Sequence, residues 1–119
     1  MVNRTNERVE FLKDILITAI EGGITYWAEV LSYEPDYGEA TVYDVGEELI
    51  YPITLDIIEK GITILTTGEN AGKSFCLGGM DYWQQFLLAN LTNGEHGDYD
   101  ADIADNIVQA GTMGEIVYG

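Results

Sequence analysis

The string Gly68-Glu-Asn-Ala-Gly72-Lys73-Ser74 follows the apolar run Ile62 to Leu65 and carries the residue types of a phosphate-binding loop. Such a loop needs four residues between its two glycines, so that consecutive N–H groups wrap a phosphate while the lysine reaches further oxygens. Here only three residues separate Gly68 from Gly72, and Thr67 stands where the first glycine belongs, so the spacing predicts a polar surface loop instead. Asp98, Asp100, Asp102 and Asp105 alternate like the start of a calcium loop, in which carboxylates converge on one hard cation. Ile103 occupies the place of the turn glycine and Gln109 that of the bidentate glutamate, so solvated acids at a helix start are expected, and no metal site.

Acid–base or nucleophilic chemistry would have to join His96, the only histidine, to Cys76, the only thiol, and nothing in their placement does so. Glu47 and Glu48 are adjacent acids in a polar turn, where two solvated carboxylates are the expectation. The residues therefore predict no catalytic site, no cofactor and no enzyme.

Charge is what sets the chain apart: 119 residues carry 21 Asp and Glu against 5 Lys and Arg, a formal net charge of −16. Eleven acids and no Lys or Arg lie between Lys13 and Lys60, and from Ser74 to Gly119 there are seven acids, again with none. Acids without bases nearby in sequence must face water or a cationic partner. Direct binding of nucleic acid or of an anionic membrane is disfavoured, because each phosphate contact normally uses a Lys or Arg. The polar start of the chain predicts neither a signal peptide nor an anchor, and no apolar run nears the ~20 residues of a membrane span. One cysteine cannot close an internal disulfide, which suits a reducing cytoplasm.

The elements that must hold these residues can be read from periodicity. Val9, Leu12, Ile15, Leu16, Ala19 and Ile20 recur at helical spacing over residues 4–21, with Gly22-Gly23 as the stop. Residues 24–33 change to β-branched and aromatic types, and Glu34-Pro-Asp-Tyr-Gly38 makes a turn into 39–45, which predicts a β-hairpin. Residues 49–53 read as a third strand, with Pro52 suited to an edge. A helix beginning at Thr54 is weakened by Gly61 by about 1 kcal/mol relative to Ala. Another helix is expected from about Met80 to Asn93, then a short one to about Ala110 capped by Asp98 or Asp100, and a closing strand over 115–118. The expectation is one α+β domain over 1–119: an N-terminal helix, a three-stranded antiparallel sheet, then two to three helices packed on it.

On the first strand, alternation puts Tyr26 and Ala28 on one side and Trp27 and Glu29 on the other. Alternate strand residues lie ~6.6 Å apart, so Glu29, Glu34, Asp36, Glu39 and Asp44 would form a ridge of negative charge. Glu47 and Glu48, and the C-terminal Asp98, Asp100, Asp102 and Asp105, would extend it. Trp27, Tyr37 and Tyr43 beside these acids would meet guanidinium groups through cation–π contacts.

The strings Thr18-Ala-Ile-Glu-Gly-Gly-Ile-Thr-Tyr-Trp-Ala28 and Asp100-Ala-Asp-Ile-Ala-Asp-Asn-Ile-Val-Gln109, the latter followed by Gly114-Glu-Ile-Val-Tyr-Gly119, resemble a family of small acidic proteins encoded by phages and plasmids, many of them actinobacterial. The strings cover about a quarter of the chain, at both ends, and carry no catalytic residue over. The resemblance implies a bacterial host and a mobile-element setting, in which small acidic inhibitors of restriction or CRISPR nucleases recur. The expected function is then an acidic nucleic-acid mimic that occupies the basic groove of a nucleic-acid-binding defence protein; a homodimer is compatible with it. The alternative is an acidic protein- or ligand-binding module without mimicry, with a pocket lined by Trp27, Tyr26 or Trp83.

Overall fold

The computed structural model describes residues 4–67 and 80–119, side chains 80–83 apart. Helix α1 (Asn6–Thr18) starts where the Thr5 hydroxyl accepts the Arg8 N–H at 3.1 Å, and it buries Phe11, Leu12, Ile15 and Leu16. It widens into a π-helical turn over Ala19–Gly23. A Cβ at Gly23 would lie 2.7 Å from the Ala101 carbonyl oxygen, so the glycine is what lets the last helix pass this turn.

That close approach changes the start of the sheet. Residues 24–27 form a turn in which the Trp27 and Ala28 N–H groups both donate to the Ile24 carbonyl, and Trp27 is buried. The expected strand from Ile24 therefore begins only at Ala28. Strand β1 (Ala28–Glu34), a 3-10 turn (Pro35–Tyr37), strand β2 (Glu39–Asp44) and strand β3 (Leu49–Ile53) form an antiparallel sheet in the order β1-β2-β3.

Register fixes which side chains share a face. On β2, Ala40, Val42 and Asp44 are buried, while Glu39, Thr41 and Tyr43 point the other way. The register partners of that second set form outward rows: Glu29–Tyr43–Ile50, Ser32–Thr41–Pro52 and Glu34–Glu39. A bulge at Leu31, between Val30 and Ser32, shifts the parity of β1 and keeps Glu29 on the same face as Glu34.

Three helices follow: α2 (Leu55–Thr66), α3 (Met80–Thr92) and α4 (Ala101–Met113). Thr54 caps α2 and Asp100 caps α4, each by accepting an orphan N–H of the first turn. A Cβ at Gly61 would stand 2.0 Å from the Ile107 carbonyl oxygen, and one at Gly111 2.2 Å from that of Ile57. Gly61, expected to weaken its helix, is thus one of two glycines that bring the α2 and α4 backbones into contact. Leu12, Leu16, Val42, Ile53, Ile58, Phe86 and Ile107 meet in one core between the helices and the inner face of the sheet. The fold is α+β, as the sequence leads one to expect. The expected closing strand is absent: the Val117 and Tyr118 N–H groups donate to Gln109 Oε1 at 2.8 and 2.7 Å, a side chain serving where a strand partner was foreseen.

Candidate functional site

Two arginines gather where α1 meets α2. Arg4 Nη2 lies 2.7 Å from Asp56 Oδ1, and Arg8 forks onto Glu59 with Nη2 at 2.5 Å and Nε at 3.2 Å. Arg8 also donates to the Asn90 carbonyl and Asn93, and its guanidinium stands 5.3 Å from the Phe11 ring centre. Hydrogen bonding from Arg8 holds the Glu59 carboxyl below its ordinary value. Lys13 lies 3.7 Å from Glu10. The arginine pairs tie the start of the chain and α1 to α2; the lysine pair lies within α1, and the Lys13 stem lies against Gly38 of the turn between β1 and β2.

The outer face of the sheet carries the opposite charge. Glu34 and Glu39 are direct register partners, and Asp36 sits in the 3-10 turn joining their strands beside Tyr37, 73% exposed. Cross-strand like charges at that position destabilise the hairpin. At the other end lie Glu47 and Glu48 in the β2–β3 turn, with Glu29 in the adjacent row. The expected single ridge is therefore two groups of carboxylates about 17 Å apart, five strand rises along β2. All six acids are exposed, and none is in an ion pair among the described residues. Thr41 and Pro52 lie between the groups, Tyr43 and Ile50 fill the row that Glu29 begins, and Leu31, at the bulge, is exposed.

Three expected contact residues are not on this surface. Asp44 is 0%, Asp105 4% and Trp27 3% exposed. Parity turns Asp44 inward; its Oδ1 accepts the Gly46 and Glu47 N–H groups at 3.0 and 3.1 Å and the Tyr118 hydroxyl at 2.7 Å. Asp105 faces the turn that Gly23 opens, accepting Trp27 Nε1–H at 2.7 Å, Gln109 Nε2–H at 2.9 Å and the Tyr26 hydroxyl at 2.5 Å. Asp98, Asp100 and Asp102 are exposed but belong to the approach to α4, beside α1: Asp98 accepts the Tyr99 N–H and Asp100 that of Ile103. The four acids that suggested a calcium loop diverge, because Asp100 caps the helix while Asp105 points to its buried side.

Sequence reasoning missed the network that these inward acids build. Trp27 stacks on Tyr118, ring centres 5.4 Å apart, and Gln109 donates to the Tyr26 hydroxyl at 3.3 Å and to the Tyr118 carbonyl while accepting the Val117 and Tyr118 N–H groups. Burial pushes the Asp105 carboxyl up, against the pull of its three hydrogen bonds. Burial and then Asp105 push the Tyr26 hydroxyl up, and the bond to Asp44 pushes Tyr118 up to about 12. Phenols held this firmly as donors are poor nucleophiles and poor acids near neutral pH, so the arrangement fastens the chain together. The signal that pointed to it was composition: eight tyrosines alongside far more acids than cations.

His96 is exposed in a turn, its N–H donating to the Thr92 hydroxyl. The Gly68 to Ser74 string, Cys76 and the Trp83 side chain lie outside the described residues. A cleft of about 430 Å³ opens between α1 and the α3–α4 connection, lined in part by Glu10, Phe11, Asp14, Asp98 and Tyr99, with Tyr99 donating to Asp14. Among the described residues, no helix is long and apolar enough to cross a membrane. Comparison with protein-family models, with curated proteins and with solved structures found no match.

Proposed function

We propose that this chain is an acidic docking protein of phage or plasmid type, which occupies the basic nucleic-acid-binding groove of a host defence nuclease of the restriction or CRISPR kind. The observation that carries the reading is the segregation of charge. Arg4 and Arg8 are ion-paired to α2 and Lys13, whose stem lies against Gly38 of the hairpin turn, to Glu10, while Glu29, Glu34, Asp36, Glu39, Glu47 and Glu48 stand exposed at the ends of the sheet with no ion pair among the described residues. A groove that gains affinity by neutralising phosphates gains it equally from fixed carboxylates at its rim, and the shared field steers the encounter. The opposed Glu34–Glu39 pair lowers stability, a cost that a use in binding offsets.

The test is displacement of labelled duplex DNA from a panel of restriction and CRISPR nucleases, at low and high salt. DNA should leave at least one nuclease, and the effect should fade as salt shortens the ~10 Å screening length. Displacement from none of them would remove the proposal.

The cleft beside Tyr99 favours a second reading, a ligand-binding module without mimicry. Its carboxylates and its Phe11 and Tyr99 rings suit a small organic cation. Calorimetric titration with spermidine reads it: heat lost in Asp14→Asn but retained after charge reversal at the sheet supports this alternative, and no heat in the unsubstituted chain rules it out.

A further inference from the structure

We propose that the docking element is the exposed outer face of the sheet, and that it takes a protein surface that is basic at two points and apolar between them. This rests on the reading above as an anionic docking protein and says what kind of partner surface it fits. An antiparallel sheet with one wet face normally alternates apolar inward and polar outward. β2 begins that way, with Glu39 and Thr41 outward, but the row Tyr43–Ile50 and the neighbouring Pro52 break the rule. Ile50 is 61% and Leu31 53% exposed. An apolar island rimmed by charge is the usual anatomy of an interaction site.

The edges of the sheet are poorly suited to the task, which leaves the face. β1 carries a bulge at Leu31 and acids at Glu29 and Glu34, and β3 carries Pro52, which has no N–H to offer an added strand. A second copy of the chain is also a poor occupant. It would bring Glu29, Glu34, Glu39, Glu47 and Glu48 against like charges, none of them answered by an ion pair among the described residues. A basic surface answers them at both ends. A partner that recognised only phosphates would gain nothing from Tyr43 and Ile50, so the apolar centre separates this face from a plain polyanion.

Two synthetic peptides of equal charge test the proposal on the isotopically labelled full chain by NMR titration. One is six consecutive arginines; the other has two arginine triplets separated by five leucine and serine residues, which span ~17 Å when extended. The spaced peptide should bind at least ~10-fold tighter, the gain expected from burying an apolar side chain, and should shift the amides of Glu29, Thr41, Tyr43 and Ile50. Tyr43→Ser with Ile50→Ser should bring its affinity down to that of hexa-arginine, with thermal unfolding confirming that the variant is folded. Equal affinity for both peptides would overturn the proposal while leaving a purely electrostatic docking surface standing. Shifts centred on Leu88 and Leu91 of α3, or on the cleft beside Tyr99, would also overturn it. Binding of neither peptide at low salt would remove it together with the reading on which it rests.

Discussion

The Tyr118 hydroxyl donates to Asp44 Oδ1 at 2.7 Å, and three more tyrosines repeat the relationship: Tyr26 with Asp105, Tyr33 with Glu21 and Tyr99 with Asp14. In a chain with five Lys and Arg for 21 acids, most carboxylates that touch the folded body cannot be met by a cation. A phenol satisfies a carboxylate with one strong charge-assisted hydrogen bond and brings apolar surface with it. Arg4 and Arg8 are taken up by Asp56 and Glu59 of α2, and no carboxylate on the outer face of the sheet is in an ion pair among the described residues.

Tyr118→Phe keeps the stack on Trp27 but removes the donor to Asp44, whose Oδ2 already lacks a partner among the described residues. We expect a lower midpoint in urea unfolding, because Asp44 Oδ1 is left with the Gly46 and Glu47 N–H groups alone. Tyr37→Phe, at an exposed ring, should change stability by less than about 0.5 kcal/mol. Equal stability of the two variants would mean that the Asp44 contact contributes nothing to folding.

Burial and Glu21 push Tyr33 up to about 12, and Asp44 does the same for Tyr118, from an ordinary 10.0. A folded-state value above the unfolded one gives stability that is fully present below 10.0 and is lost as pH rises through about 12. Ultraviolet titration should therefore find the tyrosinates of Tyr33 and Tyr118, identified by Tyr→Phe difference spectra, appearing late and together with unfolding. Glu21→Gln should let Tyr33 ionise earlier, and an unchanged titration in that variant would contradict the assignment.

Gly61→Ala sets two effects against each other. Helix propensity favours alanine by about 1 kcal/mol, but the new methyl would meet the Ile107 carbonyl oxygen at 2.0 Å, a backbone atom that cannot swing aside. Packing should win, with a net loss of about 1–3 kcal/mol and a lower thermal midpoint. Gly114→Ala, where a Cβ meets nothing within 4 Å, separates crowding from backbone strain, because its cost would come from the positive φ of 82° alone.

Glu39→Lys turns the opposed pair with Glu34 into one of opposite sign. It should stabilise the chain by about 0.2–1 kcal/mol in chemical denaturation while weakening the displacement of DNA from a target nuclease. A variant more stable and equally active would show that this end of the sheet is not used.

Much of the architecture was readable because its signals are local. The 3.6-residue period of α1, the Pro35 to Gly38 turn and the caps at Thr54 and Asp100 all stand where periodicity and turn chemistry put them. What escaped depends on residues far away in the chain. Trp27 has strand character by type, yet it is drawn inward by Asp105, 78 residues later, and Asp44 by Tyr118, 74 residues later. An acid is read as exposed by default, and nothing near Asp44 or Asp105 marks them otherwise. The bulge at Leu31 is equally silent, although it decides that Glu29 and Glu34 share a face. Glu29, Glu34, Glu39, Glu47 and Glu48 were legible as exposed acids, but their division into two groups around an apolar centre needed the register of the strands.

The most direct measurement compares two charge reversals of equal size in DNA displacement from the nuclease panel. One variant carries Glu34→Lys, Asp36→Lys and Glu39→Lys at the end of the sheet; the other carries Glu7→Lys, Glu95→Lys and Glu115→Lys, all exposed and outside it. The sheet variant should lose displacement by ~100-fold or more, about 2.7 kcal/mol, and the other should stay close to the unsubstituted chain. Equal losses would mean that net charge acts without a defined surface and would contradict the account, as would a sheet variant that still displaces DNA.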